Sequence, residues 1–294
     1  VVASIDNALI IEFSSMVHEA SQQQVSRYRP YVKVLQMSGD VWAYDGLGTV
    51  EMRELTGRNP KVVFDDIDHL RRRINRKRFA LVLPIDASDV RGSLVNPQNN
   101  YASAVAKAAS RQYDRVIQAA AFADVLTGRD FQTTVTFAND GGLTVDATAG
   151  LTYEKMLEIK QNFIDNDVGV DAAERLVLGH TGAEHTRLMR ENELTSGDFS
   201  RNFVVDKGMI TQAVGIDLVP FAANATSPII PVASSQRQLI AMSDRGIALG
   251  ISKEMSIKIQ ERNDFHETTQ VVVEMEIGAV RTEGKLVQRV SVTA

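Results

Sequence analysis

The chain has no cysteine among its 294 residues, which removes disulfide staples, thiolate nucleophiles and cysteine-based zinc sites together. It also has no apolar run long enough to span a bilayer. The opening stretch VVASIDNALIIEF carries Asp6 and Glu12 where a secretory signal would put positive charge ahead of an apolar run, so a cytosolic product is expected. Positive charge is not in excess: 32 Lys and Arg face 37 Asp and Glu, for a net charge of −5 and a pI near 5.6. That balance argues against a chain whose main task is wrapping duplex DNA, which needs a basic face to displace counterions. At 32.3 kDa there is room for one large domain or two ordinary ones, and 44% hydrophobic with 23% charged residues is ordinary for a globular protein.

Catalytic signatures are missing too. GLG at Gly46–Gly48 lacks the third glycine of a dinucleotide fingerprint, and no helix follows it. There is no phosphate-cradling lysine loop and no GxSxG elbow. HTGAEH, His180 to His185, resembles a metalloprotease motif, but histidines five apart on one helix point about 140° away from each other. His180 is therefore expected to end a strand, with Glu184 and His185 on a solvated helix face. The carboxylate pairs Asp65/Asp66 and Glu274/Glu276 read as solvated surface. No enzyme activity, cofactor or metal is expected.

What is present in excess is local. HLRRRINRKRF, His69 to Phe79, places Arg71, Arg72, Arg73, Arg76, Lys77 and Arg78 within eight positions, just after Asp65, Asp66 and Asp68. The cluster lies in the second arm of a long hairpin whose tip is the turn TGRNP, Thr56 to Pro60, and whose arms hold too few apolar residues for a core of their own. Before it, Val1 to about Pro30 is polar and Gln-rich, an arm ordered by whatever it lies on. After it, VNPQNNYASAVAKAASRQYDRVIQAAAFADVL spaces apolar residues by three and four and predicts a helix over Asn100–Leu126, about 40 Å long. From Thr152 to Leu249 helix and strand alternate: a helix with Met156, Ile159, Phe163 and Ile164 on its apolar face, the strand RLVLGH, the helices GAEHTRLMREN and VDKGMITQAVG, then the strands IDLVPF and RQLIAM. The last fifty residues alternate strongly, with Val271, Val273, Met275 and Ile277 on one face and a turn at Glu283-Gly284.

Three stretches together resemble the major capsid proteins of tailed bacteriophages. They are HLRRRINRKRFALVLPIDASDVRGSLVNPQNNYASAVAKAASRQYDRVIQAA, GLTYEKMLEIKQNFIDNDV followed by RLVLGH, and ELTSGDFSRNFVVDKGMITQAVGIDLVPF, in that order over roughly Trp42 to Ile230. Val1–Pro30 matches only in character. The resemblance implies an α+β fold of the Hong Kong ninety-seven type. Its parts would be an N-terminal arm and lead-in strand (1–39), an extended loop (40–84), a peripheral domain (85–150) with a spine helix (100–126), an axial domain (151–245) and peripheral closing strands (246–294). It implies a virion protein, assembled in the host cytoplasm into pentamers and hexamers of an icosahedral shell around double-stranded DNA. Scaffolding, portal and decoration proteins would be its partners, DNA would be touched only non-specifically, and no membrane would be involved.

Within that fold the extended loop lies between subunits. Asp65, Asp66 and Asp68 with the six basic residues, and Arg58 and Lys61 at the tip, then become candidates for intersubunit contact in preference to a genome grip, beside the plain reading of a charge run as a solvated face. Lys61 is also the candidate for a covalent lysine–asparagine lock found in some members of the wider fold. The cluster is expected to lie outside any compact core, so that its removal leaves the subunit folded. An encapsulin-like compartment shell and, more distantly, a metal-dependent hydrolase on His180, Glu184 and His185 are the rival readings.

Overall fold

The computed structural model describes residues 22–54, 64–85, 97–171, 173–191, 208–224, 227–262 and 268–294. The expected hairpin tip, with Arg58 and Lys61, and the first twenty-one residues lie outside them. The strands in chain order are β1 (Lys33–Gln36), β2 (Val41–Leu47), β3 (His69–Asn75), β4 (Lys77–Ile85), β5 (Val125–Thr127), β6 (Thr133–Val135), β7 (Leu143–Asp146), β8 (Leu176–Thr181), β9 (Gln212–Ala213), β10 (Ile216–Phe221), β11 (Val232–Ala233), β12 (Gln236–Ser243), β13 (Ile247–Arg262), β14 (Thr268–Arg281) and β15 (Val287–Thr293). The helices are α1 (Pro97–Phe122), α2 (Tyr153–Asp165) and α3 (Gly182–Leu188). Two compact units divide the chain: the larger holds Ser26–Lys77, Gln112–Ser252 and Glu276–Ala294, the smaller the described parts of Val1–Val25, Arg78–Arg111 and Lys253–Met275.

In the larger unit a mixed sheet runs β7-β15-β12-β8-β10-β9, with β11 paired to β12. β8, LVLGHT, is buried along its whole length, which is why it reads as an apolar run rather than an alternation. β7 and β15 come from outside the expected axial segment, yet β15 lies between β7 and β12 with Val287, Val290 and Val292 buried. α2 is capped by the Thr152 hydroxyl, which accepts the Lys155 N–H at 3.4 Å, and buries Met156, Ile159 and Phe163. Ile164, expected on the same face, is 50% exposed, because the step from Phe163 turns it about 100° around the helix. Gly179 on β8 meets the fully buried Tyr28: a Cβ there would sit 1.8 Å from the Tyr28 hydroxyl.

Two helix expectations are corrected. α1 starts at Pro97, a residue suited to the first helical position, and ends at Phe122 rather than Leu126. Val125–Thr127 leaves the helix because it pairs with both β6 and β3 as β5. The described end of VDKGMITQAVG is not helical: Val214 and Gly215, both at positive φ (54° and 74°), close a two-residue hairpin turn that pairs Ala213 with Ile216. The expected N-terminal arm is anchored from residue 26 onward. The buried Asp114 carboxylate on α1 accepts the Ser26 hydroxyl at 2.6 Å and the Arg27 and Tyr28 amides at 3.0–3.1 Å.

The lower part of the hairpin has a core after all. β2 and β3 pair antiparallel from Val41↔Asn75 to Leu47↔His69 in a sheet ordered β2-β3-β5-β6. Ile74 is packed with Met37, Val125, Ala248 and Val280, and Leu35, Trp42 and Tyr44 close over them. β4 belongs to another sheet, ordered β1-β13-β14-β4. In the smaller unit Val271, Val273 and Met275 of β14 are buried, while Leu81, Val82, Met255, Ile257 and Ile259 are exposed.

Candidate assembly interface

The basic run is not one surface. Strand alternation sends Arg71 and Arg73 to one face of β3 and Arg72 to the other, and Arg78 belongs to β4 of a different sheet. Arg71 sits opposite Asp45 on β2 and donates from Nε to its carboxylate at 2.7 Å, with both side chains about half exposed. That bond raises the Arg71 guanidinium above its ordinary value. Arg76 bonds Glu276 at 2.7 Å and also Asp40, and Arg78 bonds Glu274 at 2.7 Å. Glu274 also takes the Lys253 ammonium at 2.7 Å, and the bonds from Lys253 and Arg78 pull its carboxyl down to about 2.

Arg72 behaves differently. Its side chain is 5% exposed and grips Asp140 with both Nη atoms, at 2.8 and 2.6 Å, while Nη1 also donates to the Arg281 carbonyl. Arg281, fully buried, donates from Nε to the same carboxylate at 2.7 Å and from Nη1 to the carbonyls of Ala121 and Ala123. Burial alone would push the Asp140 carboxyl up, but the hydrogen bonds and charges of the two arginines outweigh it and hold it below the usual carboxylate range. The expectation that the cluster lies outside any core fails at this residue. Removing Arg72 strips a buried carboxylate of its bidentate partner.

Of the acidic candidates, Asp65 bonds Arg53 and Asp66 accepts the Ile67 amide at 2.9 Å. Asp68 is exposed. The carboxylates that neutralise most of the basic run are thus Asp40, Asp45, Asp140, Glu274 and Glu276, none of which was read as its partner from the sequence. A signal existed for two of them: Glu274 and Glu276 are spaced by two along β14, as Arg76 and Arg78 are where the chain enters β4. Among the described residues, Arg73, Lys77 and Asp68 form no ion pair within the chain.

Of the hydrolase residues, His180 stands at the end of a strand as expected, fully buried on β8, whereas Glu184, expected to be solvated, is 2% exposed. Its carboxylate accepts the Thr181 amide at 2.7 Å and the Thr181 hydroxyl, closing a capping box on α3, and takes Arg237 at 3.3 Å. The Thr-x-x-Glu spacing was legible as that cap. His185 reaches back so that its ring stacks on His180, centroids 5.4 Å apart. Among the described residues, no three His, Asp or Glu side chains are grouped to hold a metal, and no helix is long and apolar enough to cross a membrane.

The family model described as phage capsid protein matches residues 5–293. The chain belongs to the phage capsid protein family. This capsid protein shares its fold with solved phage shells. The capsid of cyanophage P-SCSP1u superposes with a TM-score of 0.73 at 12% identity, covering 99% of this chain and 95% of that one. The capsid of cyanophage Pam1 gives 0.72 at 13%, covering 98% of each chain. The head of Helicobacter pylori bacteriophage KHP40 gives 0.73 at 11%, covering 99% and 98%. No curated protein matches the chain. The expected α+β capsid fold and the expected function, a major capsid protein of a tailed bacteriophage, accord with this family and these folds, and nothing in them favours the encapsulin-like shell or the hydrolase.

Proposed function

We propose that this capsid protein builds its shell from copies of itself, through head-to-tail contacts that close into pentamers and hexamers of an icosahedral particle around double-stranded DNA. The match to the phage capsid family over nearly the whole chain carries this reading. The work is mechanical, with no catalytic step. Assembly takes place in the host cytoplasm with scaffolding and portal proteins, and a decoration protein binds the finished shell. The extended loop 40–84 overlies the neighbouring subunit. The arm 1–39, the peripheral segments 85–150 and 246–294 and the axial segment 151–245 supply the remaining contacts.

Within the loop, the candidates that keep charge available for a neighbour are Arg73, Lys77 and Asp68, joined by Arg58 and Lys61 at the tip. Asp65, Asp66, Arg71, Arg76 and Arg78 contribute through the exposed edges of pairs they already make. Arg72 is assigned to the fold instead. Sedimentation and negative-stain imaging of the concentrated protein, with its scaffolding partner supplied, test the reading. Particles far heavier than 32.3 kDa are expected. A monodisperse monomer under every condition refutes it, and an enzyme cargo inside the particles points to the encapsulin-like alternative.

A further inference from the structure

The buried cluster around Asp140 is out of charge balance. Arg72 and Arg281 share that one carboxylate, and a third guanidinium, Arg289 on β15, has no carboxylate at all among the described residues. Arg289 lies against two aromatic rings instead, its Cζ 4.6 Å from the Phe122 centroid and 4.9 Å from that of Phe137. Phe137 also carries Arg281 at 5.1 Å. Nε of Arg289 and Nη2 of Arg281 are buried with no hydrogen-bond partner among the described residues. Among the described residues, three cations and one anion leave two positive charges uncompensated, and burial together with the charge of Arg281 pushes the Arg289 guanidinium down. Among the described residues the two Nη atoms of Arg289 form no hydrogen bond, and they are not among the buried atoms left without a partner, so they are the outlet of the cluster.

We propose that the Nη edge of Arg289, backed by Arg281, receives a carboxylate from a second copy of this chain. The geometry selects the class of ligand. A guanidinium held against aromatic rings with its Nε covered offers only its planar Nη edge, which fits a carboxylate bound side by side through two hydrogen bonds. A single such edge releases too few counterions to hold a nucleic acid backbone. The charge also matches, since the chain carries five more acidic than basic side chains and a neighbouring copy can supply the acid. The inference rests on the self-assembly proposed above and names one of its contacts.

The test compares unassembled subunit with purified particles, using phenylglyoxal as an arginine-selective probe read out by mass spectrometry. Arg289 is expected to react in the subunit and at least about tenfold more slowly in the particle, the protection that one desolvated charge pair provides. Arg289→Gln is expected to lower particle yield by at least about tenfold, with Arg289→Lys falling between, while circular dichroism of the unassembled variant is unchanged. Equal labelling in subunit and particle overturns the proposal, as does normal particle yield from a folded Arg289→Gln. Should Arg289→Gln not fold, the labelling of wild-type protein decides alone. Protection present in DNA-filled particles but lost in DNA-free shells assigns the anion to phosphate and overturns the carboxylate. A wild-type chain that forms no particles under any condition refutes the assembly reading, and this contact with it.

Discussion

Asp140 in the larger unit and Glu274 in the smaller are built alike and matter differently. Each carboxylate is held by two cations, Arg72 and Arg281 for the first, Arg78 and Lys253 for the second, and each has its acidity increased. The side chain of Asp140 is 8% exposed and that of Glu274 is 25% exposed, next to partners 65% and 37% exposed. Water and salt can replace the partners of Glu274 if they are lost, but nothing can replace those of Asp140. A charge cluster in a sequence is therefore not a unit of function: neighbouring residues of one basic run serve the fold at Arg72 and remain at the surface at Arg71.

The largest expected effect is from Asp140→Asn, which leaves two buried guanidiniums facing a neutral amide. Unfolding of the unassembled variant in urea should show a loss of about 3–5 kcal/mol, typical of a broken buried pair. Similar stability of variant and wild type would mean that the cluster relaxes to water. Arg72→Gln should cost less, about 2–3 kcal/mol, because Arg281 still holds the carboxylate. It follows that reversing Arg71, Arg72 and Arg73 together unfolds the subunit, whereas reversing Arg71 and Arg73 alone leaves melting unchanged and lowers particle yield. Normal yield from that double variant would remove those two residues from the interface.

Acid sharpens the comparison. The folded Asp140 carboxyl binds its proton at lower pH than in the unfolded chain, where a carboxylate titrates near about 3.9. Its contribution is therefore complete above that value and is lost as the pH falls toward the folded one. Glu274, at about 2, acts in the same direction. In about 0.5 M salt the share of Glu274 should fade while that of Asp140 persists, because screening acts on exposed pairs. Melting temperature followed below pH 5, in low and high salt, separates the two. The smallest effect is from Glu274→Gln at neutral pH and moderate salt, where no resolvable change in subunit melting is expected.

Apolar runs, alternation and helical spacing made β8, β10, β12 and β15 of the mixed sheet, the buried face of β14 and most of α2 legible, because period reports which side of an element is apolar, whereas β7 lay in what reads as a glycine-rich connection and β9 in an expected helix. They could not report where α1 stops, since Val125–Thr127 leaves the helix only to pair with strands distant in the chain. Nor could they show that Arg72 is buried, because Asp140 and Arg281 lie 68 and 209 residues away. The turn at Val214-Gly215 was hidden because a β-branched residue there gives no sign of a positive φ. Glu184 was misjudged as solvated although the capping spacing was in plain sight.

The place of β15 between β7 and β12 has a bearing on synthesis. The mixed sheet joins residues from 143 to 293, and its next-to-outermost strand is the last of its described strands to be synthesised. Until then β7 has no strand to pair with and β12 keeps an open edge, both inviting the wrong partner. Such long-range pairing closes slowly. A chain broken off before Val287 also lacks Arg289 and the strand that holds it. In such a chain β7 and β12 stay unjoined, and the mixed sheet cannot close.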